Sequence, residues 1–347
     1  MKVGLIGAGN IAGFHLAALR KLKGVEVAGI LDVKPGAAEA MAQRLKIKNY
    51  FSDREEFFDQ VKPDVVHVLT PPRTHHEIAV NALNRRIHVL TEKPMAMTTD
   101  ECETMISAAA NNGMTLGVNH NYLYDPRVQK ALRLVQDGEI GEVVHVETLV
   151  GFDPKRLKHF QDEVGNNTHW VHQLPGGLLE DLLPHPLYLS LAFLDDEATL
   201  THSFLNKKAR LQALQSDELR LFFESKNATA SITLSLSIQP DDFIVSIHGT
   251  RATIKIDLHN MLVQRIRFGK GPKAIARGMM VASSSFAALA QMGLNTGLLL
   301  LRQIGPPGDI TPLVREHYSS LLNQTAGPVP PASGKRVVEI IRTIWPV

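Results

Sequence analysis

Val3-Gly4-Leu5-Ile6-Gly7-Ala8-Gly9-Asn10-Ile11-Ala12 is the stretch on which the reading of the chain turns. Residues 3–6 form a short unbroken apolar run, the mark of a strand buried on both faces in a parallel sheet. Gly7, Gly9 and Ala12 fit the pattern G-x-G-x-x-G/A. A helical stretch follows over 10–22, and a second apolar run, 25–31, is closed by Asp32. Gly7 permits a tight turn, Gly9 lets the backbone approach a pyrophosphate, and Ala12 is small enough for helix and strand to pack closely. The helix start offers unbonded N–H groups and a positive dipole end to phosphates. Glycine-rich turns are common, so the pattern alone says little. Preceded by a strand, opening a helix and followed by an acid about 20 residues on, it reads as a dinucleotide site.

Asp32 bears on which dinucleotide. A carboxylate at the end of the second strand can accept both ribose hydroxyls of NAD and would repel a 2′-phosphate. Lys34 softens that repulsion, so NAD is favoured and NADP less so. As a cap for a helix starting near Pro35, Asp32 explains less.

A chain of 347 residues suggests two domains. Lys plus Arg is 37 against 35 for Asp plus Glu, a balance that gives no reason to expect nucleic acid. Cys102 is the single cysteine, so no intramolecular disulfide forms and a reducing compartment fits. The N-terminus reads as the first strand, with no room for a signal peptide. Cytoplasm is the default expectation.

Beyond Asp32 the alternation continues. Helices are expected over 35–45, 54–61, 74–84 and 98–112, and strands over 64–69, 87–90 and 115–118. Strands alternating with such helices imply βαβ units. The expectation is an α/β Rossmann domain, a doubly wound parallel sheet, over 1–120. A helix over 126–136 is followed by β-like runs at 143–150, 198–204, 219–224, 228–237, 243–248 and 252–257. Their short connections call for a largely antiparallel open sheet, in an α+β domain spanning 121–347. The last helices are expected over 312–324 and 333–344. No repeat of 20–50 residues is present.

Between Asp257 and Asp309 there is no acidic residue, yet Arg265, Arg267, Lys270, Lys273, Arg277 and Arg302 occur there. Residues 278–301 are uncharged, long enough to nominate a membrane helix, but serines, glycines, Gln291, Asn295 and Thr296 interrupt them. A packed insert or oligomer contact at about 261–310 is the first reading. A peripheral membrane contact through about 261–302 is the second, and a true span the third.

Ligands of such sheets bind outside the carboxyl ends of the strands. Three strand ends there carry unusual residues: Thr70-Pro71-Pro72-Arg73-Thr74-His75-His76, Thr91-Glu92-Lys93-Pro94 and Asn119-His120-Asn121-Tyr122. A lysine directly after a buried strand can donate to a substrate hydroxyl and favour alkoxide character. Glu92 could pair with Lys93 or bind a cofactor ribose, and Pro94 restricts Lys93 to an extended conformation. The bland alternative is a surface turn with an ion pair. A second group is Gly176-Gly177-Leu178-Leu179-Glu180-Asp181-Leu182-Leu183-Pro184-His185. Asp181 and His185 share one helix face at i and i+4, so Asp181 could orient the imidazole as a general base. Pro184 bends that helix or starts a new one. Two such ligands without a clear third argue against a metal.

These residues resemble the glucose–fructose oxidoreductase / inositol dehydrogenase family of NAD(P)-dependent sugar and polyol dehydrogenases. The likeness runs from the glycine fingerprint through Thr70-Pro71 with His75, Glu92-Lys93-Pro94 and Gly141-Glu142-Val143. It continues in Gly176-Gly177 with Asp181 and His185, and in the tail from Val329 to Ile341. The resemblance implies that Lys93, Asp181 and His185 are catalytic: His185 accepts the hydroxyl proton, Asp181 assists, and Lys93 binds the reacting oxygen. It implies Gly7, Gly9, Asn10, Ile11, Asp32, Thr70, Pro71, His75, Glu92 and Asn121 around the cofactor. It also implies a homo-oligomer formed through the antiparallel sheet. Departures from the family pattern are Pro72 after Thr-Pro, Leu123 before Tyr124, Pro184 before the site histidine, and the basic segment after Asp257.

The segment 152–174 contains Lys155, Arg156, Lys158, Asn166, Asn167, His169, Trp170 and His172, residue types that suit a polyhydroxylated ligand. The expected substrate contacts are His120, Tyr122, His169 and Trp170, together with Lys93, Asp181 and His185. The substrate class is a sugar, polyol or nucleotide sugar, and a lipid-linked sugar is a narrower version that the basic segment allows. Competing readings are a redox-cycling NAD enzyme that eliminates or cleaves a glycoside, and a non-catalytic dinucleotide-binding regulator.

Overall fold

The computed structural model describes residues 1–156, 169–195, 197–207, 214–267, 269, 271–301 and 304–347. Two compact units emerge, Met1–Asn121 with Asp309–Val347, and Tyr122–Gly308.

The first unit alternates as the apolar runs demand: β1 (Lys2–Ile6), α1 (Asn10–Leu19), β2 (Glu26–Leu31), α2 (Ala37–Leu45), β3 (Tyr50–Phe51), α3 (Arg54–Val61), β4 (Val65–Val68), α4 (His75–Asn84), β5 (His88–Thr91), α5 (Thr99–Asn112) and β6 (Leu116–Val118). The sheet order is β3-β2-β1-β4-β5-β6, with every pairing parallel. Val3, Leu5, Val65, Val66 and Val89 are fully buried, because helices cover both faces. Helix starts follow local chemistry. The Asp53 side chain accepts the Glu56 N–H to begin α3, and Thr98 with Glu101 forms a capping box at α5. Strand order reverses between β1 and β4, which opens a crevice at their carboxyl ends.

The second unit holds α6 (Pro126–Gln136), β7 (Val143–Gly151), α7 (Gly177–Leu182), α8 (Pro184–Leu191), β8 (Thr199–Asn206), β9 (Glu218–Glu224), β10 (Thr229–Ser235), β11 (Asp242–Gly249), β12 (Thr253–Asp257), β13 (Leu262–Ile266) and α9 (Lys273–Leu300). Its sheet runs β13-β12-β11-β7-β10-β9-β8, antiparallel except for the pair β7 and β10. One face carries Val146, Ile232, Val245, Ile247 and Ile254, all fully buried. There α8 packs on β7 through Thr148 Oγ1 and Ser190 Oγ, 2.8 Å apart.

Two helices complete the chain, α10 (Thr311–Asn323) and α11 (Pro331–Ile344), and they correct the expected boundary. A second domain over 121–347 holds only as far as Gly308, because both helices cover the first sheet. Lys21 Nζ donates to Thr311 Oγ1 at 3.1 Å, and Lys335 pairs with Glu103 at 2.5 Å. Gly334 packs against Val118 and Met95 so closely that a Cβ would stand 2.8 Å from the valine. In the apolar segment, no described helix is long and apolar enough to cross a membrane, which removes the third of the readings given to it.

Candidate active site

The glycine turn lies at the carboxyl end of β1. Gly7 has φ of 111°, and a Cβ there would stand 2.7 Å from the Leu69 carbonyl, so only glycine fits. Gly9 has open space where a side chain would be. It precedes α1 without a side-chain cap, leaving the first N–H groups of the helix for an anion. Asp32 follows β2, and its carboxylate accepts the N–H of Ala8 at 2.7 Å and of Lys34 at 2.8 Å. Each oxygen keeps a further lone pair, so a fixed carboxylate can still receive ribose hydroxyls. These residues fit a dinucleotide.

Beyond β4, Thr70 is half-buried and Pro71 exposed. His75, expected at the cofactor, is instead fully buried. Its Nδ1 lies 2.9 Å from the Pro94 carbonyl oxygen and its Nε2 2.7 Å from that of Thr70. Burial lowers its pKa against the opposing pull of both carbonyls. The imidazole therefore ties the β4 turn to Lys93-Pro94, a cis peptide, and acts on the site as a brace.

Glu92 anchors a buried network. Its Oε1 lies 2.9 Å from His15 Nε2 and accepts the Asn119 amide at 2.6 Å, while its Oε2 receives the Lys93 N–H at 3.3 Å. His15 Nδ1 is 2.7 Å from His67 Nδ1, and His67 Nε2 is 3.0 Å from Tyr318 Oη. Burial would raise the Glu92 carboxyl. The His15 hydrogen bond and charge, the Asn119 amide and Lys93 outweigh it and hold it at about 2. Burial, then the charges of His15 and His317, push His67 well below 6.5, so His67 is neutral. Every member finds a partner: His15 Nε2–H donates to Glu92, the two Nδ1 atoms of His15 and His67 share one hydrogen bond, and His67 Nε2 meets the Tyr318 hydroxyl. The result is a backbone-to-carboxylate bond that fixes Lys93 at the end of β5. Nothing in the motif pattern pointed to His15, His67 or Tyr318, and Asn119 stood out only as part of the strand end Asn119-His120-Asn121-Tyr122. The available signal was a histidine inside the apolar strand Val65-Val66-His67-Val68.

His120, expected at the substrate, is fully buried, and burial drives its imidazole down to about 3 against the pull of Glu92. Asn121 is 7 % exposed and opens a 3-10 turn.

In the second unit, Pro184 starts α8. Leu183 keeps helical dihedrals, so Asp181 and His185 stay one turn apart. His185 Nδ1 lies 2.9 Å from Tyr188 Oη, which also accepts the Tyr122 N–H at 3.2 Å. Tyr122 stands edge-on to His185, with ring centroids 5.1 Å apart. Burial and the Asp125 charge raise its phenol to about 12, with Arg127 opposing. In the tautomer that gives Nδ1–H to Tyr188, Nε2 of His185 carries the lone pair that takes a proton. Tyr188 is a functional neighbour that its apolar helix concealed. His169 caps the 3-10 turn Trp170–Gln173, and its ring centroid lies 5.4 Å from that of Trp170. Burial lowers the His169 pKa while the Asp181 charge raises it. Lys158, Asn166 and Asn167 lie outside the described residues. No described group of three His, Cys, Asp or Glu side chains could hold a metal.

Comparison with known proteins agrees with this architecture. Residues 1–120 match an oxidoreductase family with an NAD-binding Rossmann fold, and residues 128–255 match the GFO/IDH/MocA C-terminal domain. The chain is 27 % identical to glucose-6-phosphate 3-dehydrogenase of Bacillus subtilis, over 76 % of this chain and 77 % of that one. Levoglucosan dehydrogenase, solved with NADH and levoglucosan, superposes with TM-score 0.78 at 20 % identity, covering 99 % of this chain and 96 % of that one. WlbA dehydrogenase from Bordetella pertussis, solved with NADH and UDP-GlcNAcA, gives TM-score 0.78 at 19 % identity, covering 99 % and 94 %. With its glycine turn, its Glu92-Lys93-Pro94 segment and both of its units matched, the chain belongs to the GFO/IDH/MocA family of NAD(P)-dependent oxidoreductases, which move hydride to and from hydroxyl-bearing carbons.

Proposed function

We propose that this chain is an NAD-dependent sugar or polyol dehydrogenase in which Lys93, Asp181 and His185 act on one substrate hydroxyl. The observation that carries the reading is Lys93 itself, which follows β5 at the ligand-binding end of the parallel sheet, its N–H donating to Glu92 and the next residue's carbonyl meeting His75. Gly7, Gly9, Asn10 and Ile11 would hold the pyrophosphate, and Asp32 the ribose, which favours NAD over NADP. When bound, the nicotinamide supplies the hydride acceptor. Lys93 donates to the substrate oxygen and stabilises its developing negative charge. His185 Nε2 takes the hydroxyl proton as the C–H bond gives up its hydride, and the carboxylate of Asp181 favours the charged imidazole. Trp170 and His169 suit the ring face and hydroxyls of a sugar.

Turnover of NAD with a panel of sugars, inositols and nucleotide sugars tests this reading. Lys93→Met and His185→Ala should each lose about a hundredfold or more in kcat, with NAD affinity retained. Substrate turnover unaffected by Lys93→Met would refute it. NAD binding without turnover on any substrate would favour redox cycling or a regulatory role. We further propose a homo-oligomer through the outer face of the second sheet, where Phe204 and Phe222 are exposed on adjacent strands. Light scattering of a Phe222→Arg variant would detect its loss.

A further inference from the structure

The helix α9 is built inside out. It meets the edge strand β13 through polar groups: Gln291 Oε1 accepts the Val263 N–H at 3.0 Å, Asn295 donates to the Met261 carbonyl at 2.6 Å, and Gln264 donates to the Ser284 carbonyl at 2.9 Å. These bonds blunt an open sheet edge. They also turn the apolar side chains outward. Ile275, Met279, Val281, Phe286, Leu289, Met292, Leu294 and Leu300 are exposed, Phe286 by 76 % and Leu300 by 79 %. A water-facing helix normally shows the reverse arrangement. An apolar patch of this extent marks a surface that something covers.

Three features identify the cover. The first is breadth. At about 100° per residue, the exposed apolar positions from Val281 round to Leu294 sweep roughly 220° of the circumference. A partner helix covers only a narrow seam, whereas a bilayer takes in a whole arc. The second is charge. No carboxylate occurs between Asp257 and Asp309, while Arg267, Lys273 and Arg277 are exposed. Arg265 pairs with Glu139. The third is polarity along the axis. Lys273 begins the helix and no acid lies in its first turn, although cations there oppose the helix dipole. Anionic headgroups at that end satisfy cations and dipole together.

We infer that α9 lies flat on an anionic lipid surface, its 28 residues spanning about 42 Å of the headgroup–acyl boundary. The chain is thereby a peripheral membrane protein that touches lipid through its second unit. This inference does not rest on the dehydrogenase reading, since lipid binding is measured without substrate.

Co-sedimentation of the full chain with vesicles tests it. The vesicles are phosphatidylcholine alone, or phosphatidylcholine with roughly a quarter phosphatidylglycerol. Wild type should sediment with the anionic vesicles, less with the neutral ones, and less again as salt rises. The Phe286→Ser/Leu289→Ser variant, altered only at exposed positions, should lose at least about tenfold in partitioning. Lys273→Ala/Arg277→Ala should lose about 25-fold on anionic vesicles and little on neutral ones. Absence of wild-type binding to either vesicle would overturn the inference, as would undiminished binding by the Phe286→Ser/Leu289→Ser variant. A fall in solution mass caused by that variant, with no vesicle binding by wild type, would assign the face to a second copy of the chain instead.

Discussion

His15→Leu tests whether Glu92 is a buried, ionised carboxylate held by histidine. In the native chain the Glu92 carboxyl is lowered from 4.5 to about 2, a difference worth roughly 3 kcal/mol. The folded value lies below the unfolded one. The stabilisation is therefore complete above 4.5 and is lost as pH falls toward about 2. Leucine removes the leading hydrogen bond and charge that oppose burial, and burial then works against the anion. Urea unfolding should show His15→Leu destabilised by roughly 3 kcal/mol at about pH 7. The deficit should shrink toward about pH 5, because protonation relieves the unpaired charge. Adding Glu92→Gln should recover most of the loss, a coupling of roughly 2 kcal/mol. With Glu92 loosened, the Lys93 N–H loses its fixed acceptor, and kcat should fall about tenfold. An equal loss at both pH values, untouched by Glu92→Gln, would mean that His15 only fills space, and the reasoning would fail.

Gly7→Ala forces a side chain onto a φ of 111° and to within 2.7 Å of the Leu69 carbonyl. It should cost more than about 2 kcal/mol by thermal unfolding and weaken NAD binding sharply; unchanged affinity would count against the turn as the phosphate site. Asp32→Ala should weaken NAD about tenfold while narrowing the gap to NADP, and an unaltered ratio of the two dissociation constants would remove Asp32 from the ribose. His317, fully buried with neither ring nitrogen hydrogen-bonded, is pushed from 6.5 to about 4 by burial and then by the His88 charge. The unfolded chain takes up that proton first, so the native state is fully favoured above 6.5 and loses roughly 3 kcal/mol as pH falls toward about 4. His317→Leu should flatten this fall, leaving the variant about 2 kcal/mol less acid-sensitive between about pH 6.5 and 5; parallel pH profiles would refute it.

What the sequence made legible was local. Residues 3–32 carry a complete strand–turn–helix–strand cycle within one window, and the structure follows it to the glycine dihedral and the Asp32 hydrogen bonds. The antiparallel second sheet was legible for the same reason, in period and connection length. Hidden features depended on partners distant in sequence. An amphipathic helix declares that one face is covered but not by which sheet, so α10 and α11 read as part of the second domain until Tyr318 met His67 from 251 positions away. β3 is only two residues long and β13 five, too short for an alternation to stand out. His75 and His120 sit at ligand-binding strand ends by sequence yet are enclosed, since position along a strand does not say which way a side chain turns. The Glu92 network shows why this matters for chemistry. Its members come from α1, β4, the β5 and β6 ends and α10, and each alone reads as a core residue or a motif letter. Only the doubly wound topology, closed by its last helices, makes them one chain of hydrogen bonds ending at Lys93. The motif supplies the lysine, and the fold supplies the reason it stays in place.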